Sequence, residues 1–144
     1  MSGPPPDRLR TLVARLRRYP VGAVHVAPGG VAALARSLGD VAGAGTLDVL
    51  DGLEPGALDV LLDREAVARI EAPAYAGPAL VVHAEALWAP LAPRALGGVW
   101  RALALSEAPP APRVVVVHSP LFVDRLGAAF DRSPQPGRLL RLAD

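Results

Sequence analysis

The chain contains no cysteine. Disulfides, thiolate zinc sites, iron–sulfur clusters and cysteine nucleophiles are excluded together, and nothing in the residues argues for an oxidising compartment. Lysine is absent as well, so all fifteen basic residues are arginine. That removes a Schiff-base lysine, a Ser-Lys dyad and the lysine with which a Walker loop reaches the outer phosphates. A GC-rich coding bias toward Arg, Ala, Gly and Pro accounts for the substitution, and the chemical consequence holds either way. A charge imbalance is also missing. The formal net charge is +1, which gives no whole-molecule field to draw in nucleic acid or an anionic membrane. The longest apolar stretches, Pro78 to Val82 and Val114 to Val117, fall far short of the ~20 residues that span a bilayer. Met1 to Pro6 lacks the apolar segment of a signal peptide. The expectation is a soluble, unprocessed, cytoplasmic protein with no membrane partner.

What is present is an apolar majority, 51% of 144 residues. A chain of that size buries roughly 68–70% of its unfolded surface and needs no staple. One α/β domain is expected over residues 1–144, with an amphipathic helix within 1–19 and a sheet core over 21–142. Asp7 is read as the cap of the first helix, where Leu9, Leu12, Val13 and Leu16 recur at helical spacing. Val21 to Ala27 reads as a buried strand, then a Pro28-Gly29-Gly30 turn, then a helix carrying Val31, Leu34, Ala35 and Leu38 and closed by Gly39. Thr46 to Leu50 is a second strand. Pro55 opens a helical region with Leu58, Leu61, Leu62, Val67 and Ile70, broken near Asp63.

Ala79 to His83 is a third strand, followed by a loop holding Trp88 and a helix within Pro93 to Leu105 that the Gly97-Gly98 pair weakens. Arg113 to His118 is the clearest strand, and Ser119-Pro120 supplies the cap and first residue of the helix after it. Arg138 to Leu142 is the last strand. Strands alternating with helices predict a mainly parallel five-stranded sheet covered on both faces, a three-layer sandwich.

In such a sheet ligands sit at the carboxyl ends of the strands, which makes Pro28, Gly29 and Gly30 the natural anion-binding position. The stretch from Gly22 to Gly30 (GAVHVAPGG) is similar to the entry into the phosphate loop of RecA-like proteins, and the element order from Val21 to Leu142 resembles a RecA or AAA core. The motifs depart from that pattern. Val31-Ala32 stand where Lys and Ser/Thr are required, and Val81-Val82 are followed by His83 where the family places Asp. The resemblance therefore implies a degenerate fold with a 5-1-4-3-2 strand order and no NTPase activity or cofactor. Proteins of this kind, of the SulA, ImuA or BrxB type, act through partners, which implies an accessory role in DNA repair or a stress response.

His25, His83 and His118 lie at the ends of strands that this order makes neighbours. Three convergent imidazoles would suit zinc and a metal-dependent hydrolase, with His83 and His118 the better pair and Glu85 nearby. Against convergence, period-two alternation turns His25 away, and structural histidines are the simpler account. Asp48 and Asp51 fall on opposite faces of a strand and make a poor carboxylate pair. Ser119 lacks a nucleophile elbow and is read as a helix cap. Arg15 and Arg18 on the first helix offer a surface for phosphates or an acidic partner, although a solvated face is the simpler account, and Trp88 in its loop offers an aromatic anchor.

Three functions follow. The leading one is a non-catalytic interaction or regulatory protein, self-associating or bound to another protein, with the C-terminal strand as a candidate edge. The others are the metal-dependent hydrolase and a domain that binds a phosphorylated ligand at Gly29 and Gly30. No catalytic residue is assigned under the leading reading.

Overall fold

The computed structural model of the protein describes residues 5–143; Met1 to Pro4 of the proline-rich start and Asp144 lie outside them. The sheet has the order β2-β3-β4-β1-β5. Its strands are β1 (Val21–His25), β2 (Gly45–Asp48), β3 (Ala79–Val82), β4 (Arg113–Val117) and β5 (Leu139–Arg141). Every pairing is parallel, with β4 central and β1 between it and β5, in a register that sets His25 beside Val117 of β4 and Arg141 of β5. The strands end one or two residues earlier than expected: β1 stops at His25, and His83 and His118 belong to the turns after β3 and β4.

The helices are α1 (Pro6–Ala14), α2 (Val31–Ala42), α3 (Asp63–Glu71), α4 (Ala84–Trp88), α5 (Pro93–Leu105) and α6 (Pro120–Asp131). Strand alternation divides the core in two. Val24, Val26, Leu80, Val114 and Val116 meet Leu9, Leu12 and Leu16 at α1 and Leu34 and Leu38 of α2. Val21, Ala23, Val81, Val115 and Val117 face α3 to α6, where Ile70, Leu87, Trp88, Leu103, Leu126 and Phe130 pack. Each fully buried large aliphatic side chain contributes roughly 1.5–3 kcal/mol. At Gly22 a Cβ would stand 2.9 Å from Leu16 Cδ2 and 3.0 Å from the Arg138 carbonyl, so only glycine lets β1 pass there.

Several local expectations are corrected. Asp7 lies inside the first turn of α1, and the cap is Pro5. Gly39 does not end α2, which continues to Ala42 and closes on Gly43 at φ 65°, the left-handed position that glycine fills without strain. The segment after β3 is not a loop: α4 forms there and carries Trp88 inward. Trp88 is 0% exposed and packs edge-on against Trp100 at 5.8 Å and Phe122 at 5.9 Å between ring centroids. A buried aromatic in that cluster cannot anchor a partner, so the reading of Trp88 as a contact residue is overturned. No helix among the described residues is long and apolar enough to cross a membrane.

Candidate functional site

The carboxyl ends of β1, β3 and β4 carry a connected set of polar groups. His83 follows β3 directly and adopts φ 69°. That left-handed conformation is unusual for a residue with a side chain and turns the chain sharply into α4. The His83 Nδ1 donates to Asp48 Oδ1 at 2.8 Å. Asp48 ends β2 and also accepts from the Leu50 backbone N–H at 2.9 Å. The hydrogen bond from His83, with help from the Leu50 amide, holds the Asp48 carboxyl below its ordinary range against the opposing effect of burial.

Glu85, in the first turn of α4, reaches across to the start of α6. Its two carboxylate oxygens accept from the backbone N–H groups of His118, at 3.0 Å, and Ser119, at 2.9 Å. Ser119 in turn caps α6 as its position before Pro120 predicts, its hydroxyl accepting from the Phe122 N–H. Amides at a helix start are the groups that would otherwise receive an anionic ligand. Here a side chain of the same molecule already fills them.

The histidines of β1 and β4 bond to backbone. His118 Nδ1 donates to the Val26 carbonyl at 2.6 Å, and His25 Nε2 donates to the His118 carbonyl at 3.2 Å. His25 is 5% exposed, and its Nδ1 has no partner among the described residues. The three imidazoles therefore do not close around one point. His25 and His118 are joined through main chain, while His83 turns to Asp48, and among the described residues no three His, Cys, Asp or Glu side chains are arranged to hold a metal. The His83–Asp48 pair was not anticipated, because period-two spacing compares Asp48 only with Asp51 and not with a neighbouring strand.

Pro28, Gly29 and Gly30 form a single 3₁₀ turn that runs straight into α2. The Gly30 N–H is spent on the Ala27 carbonyl at 2.8 Å. A Cβ at Gly30 would meet Val26 Cγ2 at 2.8 Å, so packing beneath the turn accounts for that glycine, whereas Gly29 faces open space. Arg15 donates to the Gly137 carbonyl at 2.8 Å, and Arg18 pairs with Glu107 at 3.2 Å. Arg15, with Arg8 bonding the Arg141 carbonyl, ties α1 to the β5 edge.

Two arginines that composition did not single out dominate the opposite end of the sheet. Arg113 begins β4 and Arg138 precedes β5, each 0% exposed. Arg113 donates to the carbonyls of Glu71, Ala72, Tyr75 and Gly77. Arg138 donates to those of Val21, Ala104 and Gln135 and lies 4.7 Å from the Phe130 ring centroid. Burial lowers the Arg138 pKa to about 10, which leaves it protonated at neutral pH, and lowers Arg113 likewise. Compared with known proteins, the chain matches no family model, no curated protein and no solved structure.

Proposed function

We propose that the chain is a non-catalytic accessory or regulatory protein that acts by binding another protein, on a degenerate RecA-like arrangement of strands. One observation carries this reading: Pro28 to Gly30, where a nucleotide-handling sheet of this order would need its donors free, is a single 3₁₀ turn whose Gly30 N–H is bonded to the Ala27 carbonyl. The lack of lysine, Val31-Ala32 at the key positions and the Glu85 carboxylate on the two amides at the start of α6 support it further. Self-association through the β5 edge is not part of the reading, because that strand has three residues, Arg8 bonds its Arg141 carbonyl and Arg15 bonds the Gly137 carbonyl just before it. The test is incubation with ATP and magnesium. Phosphate release at the buffer blank, with no rise in melting temperature on adding ATP or ADP, is the expected result, and turnover above the blank refutes the proposal.

A hydrolase reading draws on the His83–Asp48 pair, an exposed imidazole oriented by a carboxylate. Metal analysis of untagged protein and ester hydrolysis by the wild type and His83→Ala decide it. A near-stoichiometric transition metal, or turnover that the variant loses, would favour the hydrolase.

A further inference from the structure

A groove of about 620 Å³ runs between α5 and α6. Its walls carry Arg94 and Arg101 from α5, Arg125 from α6 and Arg132 at the end of that helix, and no acidic residue lines it. All four arginines are exposed. Among the described residues none of them belongs to an ion pair. The charges of α6 are segregated: Asp124 and Asp131 line the hollow on the β5 side, where Asp124 pairs with Arg141, and leave the α5 side basic. Arg94 stands in the first turn of α5, where the helix dipole disfavours a cation. The electrostatics of the isolated chain give no reason for that placement.

The floor supplies an independent observation. Gly97 and Gly98 sit in the interior of a thirteen-residue helix, and a Cβ at either would meet nothing within 4 Å. Glycine is a poor helix former, so neither the fold of α5 nor its packing calls for this pair. Small residues of this kind let another backbone approach closely. Leu105, 46% exposed, gives the groove an apolar end.

We propose that the α5–α6 groove receives an acidic α-helix of a partner protein. This rests on the non-catalytic reading and names the partner class that reading lacks. Arg94 and Arg101 are seven residues apart, as are Arg125 and Arg132, so each pair spans two helical turns, a rise of about 10.5 Å. Two parallel rows with that repeat match carboxylates recurring every heptad on a helix laid between them. Arginine forks bind such carboxylates in bidentate fashion. Single-stranded nucleic acid fits less well, because stacking platforms are missing: Trp100, the groove's one aromatic, is 3% exposed.

The test uses the full chain and a fluorescent, stapled helical peptide of about three heptads with glutamates at heptad positions. Controls are a peptide of the same composition with the spacing broken and an oligothymidylate of equal charge. By fluorescence anisotropy the ordered peptide should bind at least ~10-fold tighter than either control, and Arg101→Glu with Arg125→Glu should weaken it at least ~10-fold. Gly97→Leu fills the floor and should weaken binding equally while the melting temperature holds or rises, which separates a blocked groove from a damaged fold. Equal affinity for both peptides, tighter binding of the oligothymidylate, or unchanged affinity in these variants overturns the proposal. Loss of the groove with ATP turnover still at the blank leaves the non-catalytic reading standing, whereas turnover removes that reading whatever the peptide does.

Discussion

The two ends of the sheet solve the same problem with opposite chemistry. Every strand is parallel and the crossover helices run back antiparallel to them, so helix C-termini and their free carbonyls collect at the amino end of the strands. There Arg113 and Arg138 enter the interior as cations and bond carbonyls at the ends of α3 and α5. Helix N-termini collect at the other end, and there Glu85 accepts from amides at the start of α6 while Asp48 accepts from His83 and Leu50. Buried donors at one end and half-exposed acceptors at the other follow from one polarity. A cluster of charged residues is thus no signature of catalysis in this fold, because the dipoles alone call for it.

The comparison is broken most severely at the amino end. Arg138→Leu or Arg113→Leu leaves several buried carbonyls without a donor and should cost about 3–5 kcal/mol in urea denaturation. A loss below about 1 kcal/mol would mean that water replaces the guanidinium and that the two ends do not differ in kind. At the carboxyl end Glu85→Ala removes two charge-assisted hydrogen bonds in a half-buried setting. A loss of about 2 kcal/mol is expected there, and a loss equal to that of the arginine variants would erase the contrast.

Asp48 gives a smaller effect that depends on pH. Its folded-state pKa lies below the ordinary 3.8, so the stability gained from the carboxylate is complete above that value and lost as pH falls through the folded one. The stability gap between the wild type and Asp48→Asn should therefore narrow in acid, below pH 3.8; a gap that widens there contradicts the assignment. The smallest change is favourable. Gly97→Ala should raise stability by about 0.5–1 kcal/mol, a melting shift of roughly 2–4 °C in a chain of this size, and a loss instead would mean that α5 needs the glycine.

Much of the architecture was legible because it is written in local pattern. The run from Arg113 to Val117, the Ser119-Pro120 helix start and the alternation of strands with proline- and glycine-marked turns all appear in the structure. Their parallel order β5-β1-β4-β3-β2 is the one the resemblance implied, and local pattern alone does not give it. Boundaries were less legible. Gly39 resembles a helix stop as much as Gly43 does, and only the left-handed φ at Gly43 separates them. The helix α4 escaped notice because five residues are too few to show a period, and Trp88 was misread with it.

The candidate site was legible only as a list of residue types. Composition marked His25, His83 and His118 and placed them on neighbouring strands, but hydrogen-bond partners are long-range facts. His83 meets Asp48 across 35 positions of sequence, and His118 meets Val26 across 92. Nothing in local pattern singles out Arg113 and Arg138, whose partners come from the ends of α3 and α5.

The sequence by itself determined what chemistry is excluded, where the apolar periods lie and that a parallel sheet covered on both faces is their common solution. Those properties depend on residue identity and on neighbours a few positions away. The tertiary structure alone decided which polar groups meet, which arginines are buried and which face the α5–α6 groove. Each of those outcomes depends on the crossing of segments far apart in the chain, and no periodicity encodes it.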